Sequence, residues 1–454
     1  MVAVRGAEPA SGCIIRIVTT ADNDRRLRRI RLRIGPSAAA IMLAAAVAAC
    51  GSATSASAPA SGTSPVASTP TPTPTTAAAP TPTPGISIVP VPGGELAAPG
   101  SAAAKLDSAT AAALRTALDG LRSSGKYPGA SAAVMFPDGS IWSGVSGQAM
   151  YSPPTPLTTD TLLSAGSISK TFVSALIGRL VQSGTIGLDD PLSKYVPTFT
   201  NASKITIREL LDHTSGIRDL FKVKTMNDAI LANKAATWTA DQVLSKIGPQ
   251  LYAPGTHYYY SNTEYVLLGK VIEKATGKSV SSLIRTDFLT PLGMTHTFMQ
   301  TEEKVSGPEA HGYMRKGSST SNFAGNMIPF TSEVTAVGPA GAYVSTASDL
   351  AIWANALYGG YVLDEAGLAS MVDISATARF VGHVVIFGAG YGLGFEETTV
   401  DGQVAWGHRG HLDGFWSAME YLPAYHLTVV ILTNAEWANH PETAASALAK
   451  AAIG

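Results

Sequence analysis

The apolar positions of this chain change their spacing several times, and each spacing predicts a different element. Apolar residues recur three and four positions apart, the spacing of a helix, at 114–121, 167–183, 205–211, 239–247, 264–275, 279–288, 348–357 and 441–452. Short apolar runs bounded by turn residues predict strands at 130–136, 141–145, 403–407, 415–422 and 427–433. The first two strands flank Pro137-Asp138-Gly139 and predict a β-hairpin.

The predicted strands come from both ends of the region 105–454, whereas its middle is mainly helical. This distribution predicts an α/β protein of the α+β type, with an antiparallel sheet flanked by the N- and C-terminal helices. An inserted, all-helical lobe is expected to pack against that sheet. We expect the functional site in the cleft between the two parts.

Residues 51–104 consist almost entirely of Ala, Ser, Thr, Pro and Gly. Such a segment has too few apolar side chains to offset the entropy lost on ordering, so 50–104 is predicted to be a disordered linker. Ahead of it, an arginine cluster is followed by a short apolar run that ends at Cys50. The run is too short to span a bilayer and fits the core of a signal peptide over 1–49.

The end of that run, Val47-Ala48-Ala49-Cys50, resembles a bacterial lipobox, in which the cysteine is lipidated and becomes the new N-terminus. The resemblance implies an extracytoplasmic lipoprotein that is anchored to the bacterial cell membrane through Cys50. An ordinary secretory signal, which would leave the protein secreted, and an N-terminal anchor helix are the alternatives.

Composition narrows the chemistry of region 105–454. The chain has two cysteines, Cys13 and Cys50, and both precede this region, so it contains neither a disulfide nor a thiol nucleophile. The chain has 32 basic and 33 acidic residues, and much of the positive charge lies in the arginine cluster near the N-terminus. The remaining region is therefore acidic on balance, and we expect no nucleic-acid partner.

A nucleophile is predicted at the start of the helix 167–183. Ser167 and Lys170 are three residues apart, so their side chains share a helix face. A desolvated lysine can lose its charge and accept the serine proton, and the helix N-terminus favours a developing oxyanion. A second Ser-x-x-Lys, from Ser123 to Lys126, precedes Tyr127-Pro128-Gly129 where a helix should end, and is interpreted as a solvated turn.

Two further motifs follow in the chain, Tyr260-Ser261-Asn262 and His408-Arg409-Gly410. Ser167-x-x-Lys170, Tyr260-x-Asn262 and His408-x-Gly410, in this order, resemble the three motifs of the penicillin-recognising serine hydrolases. This family includes DD-carboxypeptidases, class C β-lactamases and related esterases. The similarity extends to the landmarks 210–217, 291–294 and 339–342 and covers essentially residues 105–454.

The chemistry of each residue permits a role in acyl transfer. Ser167 attacks a carbonyl and carries the acyl group, while Lys170 holds or moves its proton. Tyr260 protonates the leaving group and then activates water, and Asn262 bonds both Lys170 and a substrate carbonyl. By analogy with the family, the backbone N–H groups of Ser167 and His411 form the oxyanion hole.

His408 departs from the β-lactamase pattern, in which a lysine supplies a permanent charge. His-x-Gly resembles the DD-carboxypeptidase branch and some esterases more closely. Arg409, with Gly410, is expected either to bind a substrate carboxylate or to lie on a solvated strand face. If His408 and Arg409 share the work of the lysine, acylation should weaken as the pH rises through the histidine pKa.

The resemblance implies a D-alanyl-D-alanine carboxypeptidase-like enzyme that acts on cell-wall peptides through an acyl-enzyme. Its substrate is expected to be a peptide, an ester or a β-lactam, and no cofactor or metal is expected. An esterase or weak β-lactamase on the same fold is the enzymatic alternative. A penicillin-binding sensor or scaffold without catalysis is the other, although such a binder has no need of Ser167, Lys170, Tyr260 and Asn262 together.

Overall fold

The computed structural model describes residues 106–300, 302–314, 329–375, 377–378, 390–437 and 441–454. All of these belong to one compact unit, Pro80–Gly454. The predicted signal peptide 1–49, Cys50 and the predicted linker 50–104 lie outside the described residues.

Eleven α-helices occur in the described part of the chain, and most of those predicted from apolar spacing are among them. They are α1 Ser108–Gly125, α2 Ser169–Gln182, α3 Ile207–Leu211, α4 Lys224–Ala232, α5 Ala240–Leu244, α6 Asn262–Thr276, α7 Val280–Ile284, α8 Thr331–Val337, α9 Ala347–Tyr358, α10 Glu365–Val372 and α11 Pro441–Ile453. Side-chain caps begin several of them; the Asp107 carboxylate, for example, accepts hydrogen bonds from the backbone N–H groups of Ala109 and Thr110.

The strands within the same ranges form two sheets. They are β1 Gly129–Met135, β2 Ile141–Tyr151, β3 Pro154–Pro156, β4 Leu163–Ser164, β5 Phe298–Met299, β6 Tyr343–Ser345, β7 Gly390–Tyr391, β8 Glu396–Val400, β9 Gln403–Leu412, β10 Phe415–Leu422 and β11 Leu427–Thr433. The large sheet has the order β3-β2-β1-β11-β10-β9-β8-β7, and every neighbouring pair is antiparallel. The predicted hairpin is the β1–β2 pair of this sheet. The first and last strands, β1 and β11, are neighbours in its middle part.

The large sheet is buried on both faces. Along β1, Ala132 and Val134 pack into a core with α1 and α11, whereas Ala133 and Met135 face a second, larger core that contains α2, α6 and α9. This alternation follows from the two-residue period of a strand. The N- and C-terminal helices thus cover one face, as the sequence pattern predicted.

The region between β2 and β7 covers the other face and is mainly helical. It also carries a three-stranded sheet with the order β4-β6-β5, so the expectation of an all-helical lobe is corrected. The strands of this small sheet have two or three residues each, too few for a period-two pattern to appear in the sequence.

Helix α2 is the centre of the larger core. Ten of its fourteen residues are buried, and the Phe172 ring stacks on Trp353 with a centroid distance of 4.3 Å. Because α2 is surrounded by other elements, its first turn and the preceding residues are held firmly. The predicted nucleophile, Ser167, is one of those preceding residues.

Candidate active site

Ser167 lies in a tight turn between β4 and α2. The chain forms one 3₁₀ turn at Gly166–Ile168 before the α-helix begins at Ser169, two residues later than predicted. Gly166 has a φ of 52°, in the left-handed region that favours glycine, and the Ser169 hydroxyl donates a 2.6 Å hydrogen bond to its carbonyl. This geometry leaves the Ser167 side chain half-buried at the cleft wall.

Lys170 is fully buried next to the serine. Its Nζ donates hydrogen bonds to Ser167 Oγ at 3.0 Å, to Asn262 Oδ1 at 2.7 Å and to the carbonyl oxygen of Ala340 at 2.8 Å. Burial lowers the pKa of Lys170 from 10.5 to about 7, against the opposing charges of nearby carboxylates. Near neutral pH a substantial fraction of this amine is therefore uncharged and able to accept a proton.

Tyr260 and Asn262 come from the N-terminus of α6. The Tyr260 hydroxyl donates a 2.8 Å hydrogen bond to Ser167 Oγ, and its ring centroid lies 4.9 Å from Lys170 Nζ. Burial raises the pKa of Tyr260 well above its ordinary value, so the resting group is a neutral phenol. The hydroxyl of Ser167, the amine of Lys170 and the phenol of Tyr260 therefore meet at one point, and the Asn262 amide bonds the amine.

The buried pair of His213 and Glu264 packs against Tyr260. His213, which has a φ of 61°, is bonded through Nδ1 to the Glu264 carboxyl, and the Ser215 hydroxyl donates to the same carboxyl. The His213 ring packs on the Tyr260 ring with a centroid distance of 4.3 Å. Burial lowers the pKa of His213 and raises that of Glu264, which favours the neutral form of both.

His408 lines the cleft, and both of its ring nitrogens bond groups other than Ser167. Its Nδ1 donates to the carbonyl oxygen of Arg409, so Nε2 accepts the hydrogen bond of the Tyr391 hydroxyl, at 2.9 Å. Burial lowers the pKa of His408 from 6.5 to about 4. A pKa of about 4 argues against a weakening of acylation in the range of an ordinary histidine pKa, which stays a prediction.

Arg409 follows His408 on β9 and also lines the cleft. The Arg409 Nε donates a 2.7 Å hydrogen bond to Glu396 of β8, and the two side chains are 14% and 13% exposed. The alternative of a solvated strand face is therefore wrong, because this arginine compensates a buried carboxylate. Its binding of a substrate carboxylate stays a prediction.

Gly410 and His411 pack directly against the serine segment. A Cβ atom at Gly410 would lie 2.0 Å from the carbonyl oxygen of Ala165, and one at Gly166 would lie 2.6 Å from the backbone nitrogen of His411. These close approaches require glycine at both positions. They bring the backbone of His411 beside the turn that carries Ser167, where the predicted oxyanion hole would be.

The cleft has a volume of about 910 Å³. All predicted site residues of the three motifs line it except Lys170, which is buried behind the wall. Four acidic side chains also line the cleft, namely Asp219, Glu333, Glu396 and Asp413. The exposed Lys222 lies on the same wall.

The sequence interpretation missed several residues that hold the site together. Asp219 bonds Asn262, Ala340 supplies a carbonyl to Lys170, and Tyr391 and Glu396 engage the His408-Arg409 pair. Ala340 lies within the landmark 339–342, which was a signal for its importance. Asp219, Tyr391 and Glu396 carry no motif of their own.

Within the part of the chain that the structure describes, no group of three or more His, Cys, Asp or Glu side chains is placed to hold a metal ion. Among the same residues, no helix combines the length and apolarity needed to cross a bilayer.

Comparisons with known proteins agree with this geometry. The sequence model of the family described as Beta-lactamase matches residues 110–452. Penicillin-binding protein 4 of Amycolatopsis lactamdurans is 28% identical over 329 residues, which cover 70% of this chain and 83% of that protein. A D-aminopeptidase of Cereibacter sphaeroides is 28% identical over 345 residues, 75% of this chain and 63% of that longer protein.

Among solved structures, a D-amino acid amidase from Ochrobactrum anthropi SV3, complexed with L-phenylalanine amide, is similar with a TM-score of 0.64 and 27% identity. The similarity covers 74% of this chain and 98% of that one.

Proposed function

The chain belongs to the Beta-lactamase family and is a serine hydrolase, and on that premise we propose that it cleaves amide bonds of D-amino acid residues through an acyl-enzyme on Ser167. The observation that carries this proposal is the hydrogen-bonded group of Ser167, Lys170, Tyr260 and Asn262 at the cleft wall. The names of the D-aminopeptidase and the D-amino acid amidase support the choice of bond and configuration.

Acylation begins with proton transfer from Ser167 to the uncharged amine of Lys170, which lies 3.0 Å away. The serine oxygen then bonds to the substrate carbonyl carbon, and the bond to the leaving nitrogen breaks. Tyr260 is the neutral phenol nearest the serine and delivers a proton to that nitrogen, and the proton on Lys170 restores the phenol. In deacylation, water cleaves the ester and returns the hydrogen to Ser167.

An amidase that acts on D-amino acid residues fits the cleft better than the carboxypeptidase expected from sequence. A carboxypeptidase must bind a terminal carboxylate, and His408 and Arg409, which were predicted for that task, bond other groups of the protein. Arg409 pairs with Glu396, and the pKa of about 4 leaves His408 neutral at pH 7. Neither supplies the net positive charge that a carboxylate needs.

A D-alanyl-D-alanine carboxypeptidase-like activity on cell-wall peptides is the second candidate. The observation that favours it is Lys222 on the cleft wall, which offers a cation to a carboxylate. The similarity to a penicillin-binding protein also supports it.

Turnover of four probes separates these functions. The probes are D-alanine p-nitroanilide with its L-enantiomer, an N-acylated D-Ala-D-Ala peptide, p-nitrophenyl acetate and a fluorescent penicillin. We expect hydrolysis of the D-anilide that is lost in Ser167→Ala. Ser123→Ala is the matched control, because Ser123 belongs to the other Ser-x-x-Lys sequence and lies exposed on α1.

Release of D-alanine from the peptide alone would support the second candidate instead. Turnover of the ester alone would indicate an esterase, and hydrolysis of the penicillin a weak β-lactamase. If no probe gives a signal that depends on Ser167, the proposal fails and the result favours a non-catalytic binder.

We also propose that the mature protein is a lipoprotein, anchored to the membrane through Cys50. The lipobox-like sequence from Val47 to Cys50 behind a basic segment supports this. Mass spectrometry of the mature N-terminus should find an acylated Cys50, and an unmodified protein that starts at another residue would refute it.

A further inference from the structure

Asp219 is a buried residue of the cleft, and its carboxylate accepts hydrogen bonds from Asn262 and from its own turn. Its Oδ2 accepts hydrogen bonds from the backbone nitrogen of Asn262 at 2.7 Å and from the side-chain Nδ2 at 2.8 Å. Its Oδ1 accepts from the backbone nitrogen of Phe221 at 2.9 Å. The residue is 4% exposed, so water does little to solvate this charge.

These contacts determine which way the Asn262 amide faces. An asparagine side chain carries a donor and an acceptor of nearly equal size, and its orientation depends on its neighbours. A carboxylate accepts hydrogen bonds only, so Asp219 must face the NH₂ group of Asn262. The amide oxygen then points to Lys170, whose Nζ lies 2.7 Å from it.

Of the carboxyl groups that act on Lys170, Asp219 contributes more net negative charge than Glu396 or Glu264. Glu396 is compensated by its ion pair with Arg409, and burial favours the neutral form of Glu264. The hydrogen-bond donors to Asp219 are uncharged amide groups. The titratable groups around Lys170 are Asp219, Glu264, Glu396, His213, His408, Tyr260 and Tyr265.

We propose that Asp219 is a positioning residue for the nucleophile, which holds the Asn262 amide oxygen toward Lys170 and provides the charge that balances the Lys170 ammonium. This inference deepens the proposed function and rests on it for the role of Lys170 as the base. Burial alone would lower the pKa of Lys170 further, and the charge of Asp219 opposes that effect.

The substitution Asp219→Asn keeps the shape of the side chain and removes its charge, so it tests both the orientation of Asn262 and the charge balance of Lys170. Turnover should fall at least tenfold, because the new amide no longer dictates the orientation of Asn262. The titration midpoint of Lys170 should move from about 7 to a lower pH, by on the order of one pH unit. A merely structural defect would lower turnover and leave the midpoint in place.

The midpoint is measured on the intact protein by NMR of ¹³C-labelled lysine, with the Lys170 signal assigned by its loss in Lys170→Met. The acid limb of turnover is recorded in parallel. Asp219→Glu keeps the charge, so its midpoint should stay near that of the wild type while turnover falls. Asp228→Asn is the control, because Asp228 is exposed and pairs with Lys224 on α4.

A midpoint that stays in place or rises in Asp219→Asn overturns the proposal, as does unchanged turnover. If the wild type cleaves none of the probes, the proposed function fails, yet the lysine titration still decides whether Asp219 balances the charge of Lys170. The two failures are therefore distinguishable.

Discussion

Replacing Lys170 by methionine should stabilise the protein at low pH, and this advantage should shrink as the pH rises. Lys170 is fully buried, and its pKa falls from 10.5 to about 7 on folding. Between these values the unfolded chain binds a proton at this site that the folded protein does not, so the free energy of unfolding rises with pH. Below pH 7 both states are protonated and the folded protein bears the full cost of the buried ammonium.

The magnitude follows from the shift. A fall from 10.5 to about 7 corresponds to about 5 kcal/mol at ~1.36 kcal/mol per pKa unit. The variant also loses the hydrogen bonds of Lys170 to Ser167, Asn262 and Ala340, each worth about 1 kcal/mol net. We therefore expect a net gain of about 2 kcal/mol near pH 6, which falls by about 3 kcal/mol between pH 7 and pH 9.5.

The assay is urea unfolding of wild type and variant at half-unit steps from pH 6 to 9.5. The contributions of other titrating groups largely cancel in the difference between the two free energies. Lys224→Met is the control, because the Lys224 side chain is 85% exposed and its replacement should give a difference that changes little with pH. Parallel pH curves for Lys170→Met and wild type would show that Lys170 keeps an ordinary pKa, and its assignment as the catalytic base would be refuted.

Three further predictions test the packing in the site and in the core behind it. Gly410→Ala should reduce acylation by at least about a hundredfold, the usual cost of a lost oxyanion donor, because its Cβ would lie 2.0 Å from the Ala165 carbonyl oxygen; pre-steady-state labelling at the wild-type rate would contradict this. Arg409→Ala should lower the free energy of unfolding by about 3 kcal/mol, since Glu396 would be left buried without its cation. Adding Glu396→Gln should restore most of that loss in denaturant titrations, and a double variant as unstable as the single one would argue against the ion pair. Phe172→Ala should cost about 3 to 5 kcal/mol through a cavity in the larger core, measured by thermal unfolding, and a cost below about 1 kcal/mol would show that the core closes around it.

The elements predicted well are those whose apolar pattern is long and regular. Helix α1 buries one face, and its helical spacing shows it, whereas β1, β10 and β11 are buried along nearly their whole length and were predicted from their apolar runs. The predicted strand 403–407 reached only the first half of β9. Strand β8 was missed because its sequence, Glu396 to Val400, is mostly polar, although Glu396 is paired in the fold. Helices α4, α8 and α10 were missed as well, since they are short and flanked by irregular chain.

The amino-acid sequence alone determined the kinds of chemical group at the site and the class of fold. Ser167, Lys170, Tyr260 and Asn262 stand in motifs with fixed spacing, and helical geometry already places the first two on one face. An apolar pattern of this length leaves few architectures that can bury it.

Only the tertiary structure decided the charge states of these groups. The pKa of Lys170 and that of His408 depend on burial and on charges a few ångströms away, and those charges come from distant parts of the chain. The same holds for Arg409, whose partner Glu396 lies on the neighbouring strand, and for Asp219, which meets Asn262 from another segment. A local pattern carries no information about such encounters, because desolvation and Coulomb energy act through space and not along the sequence.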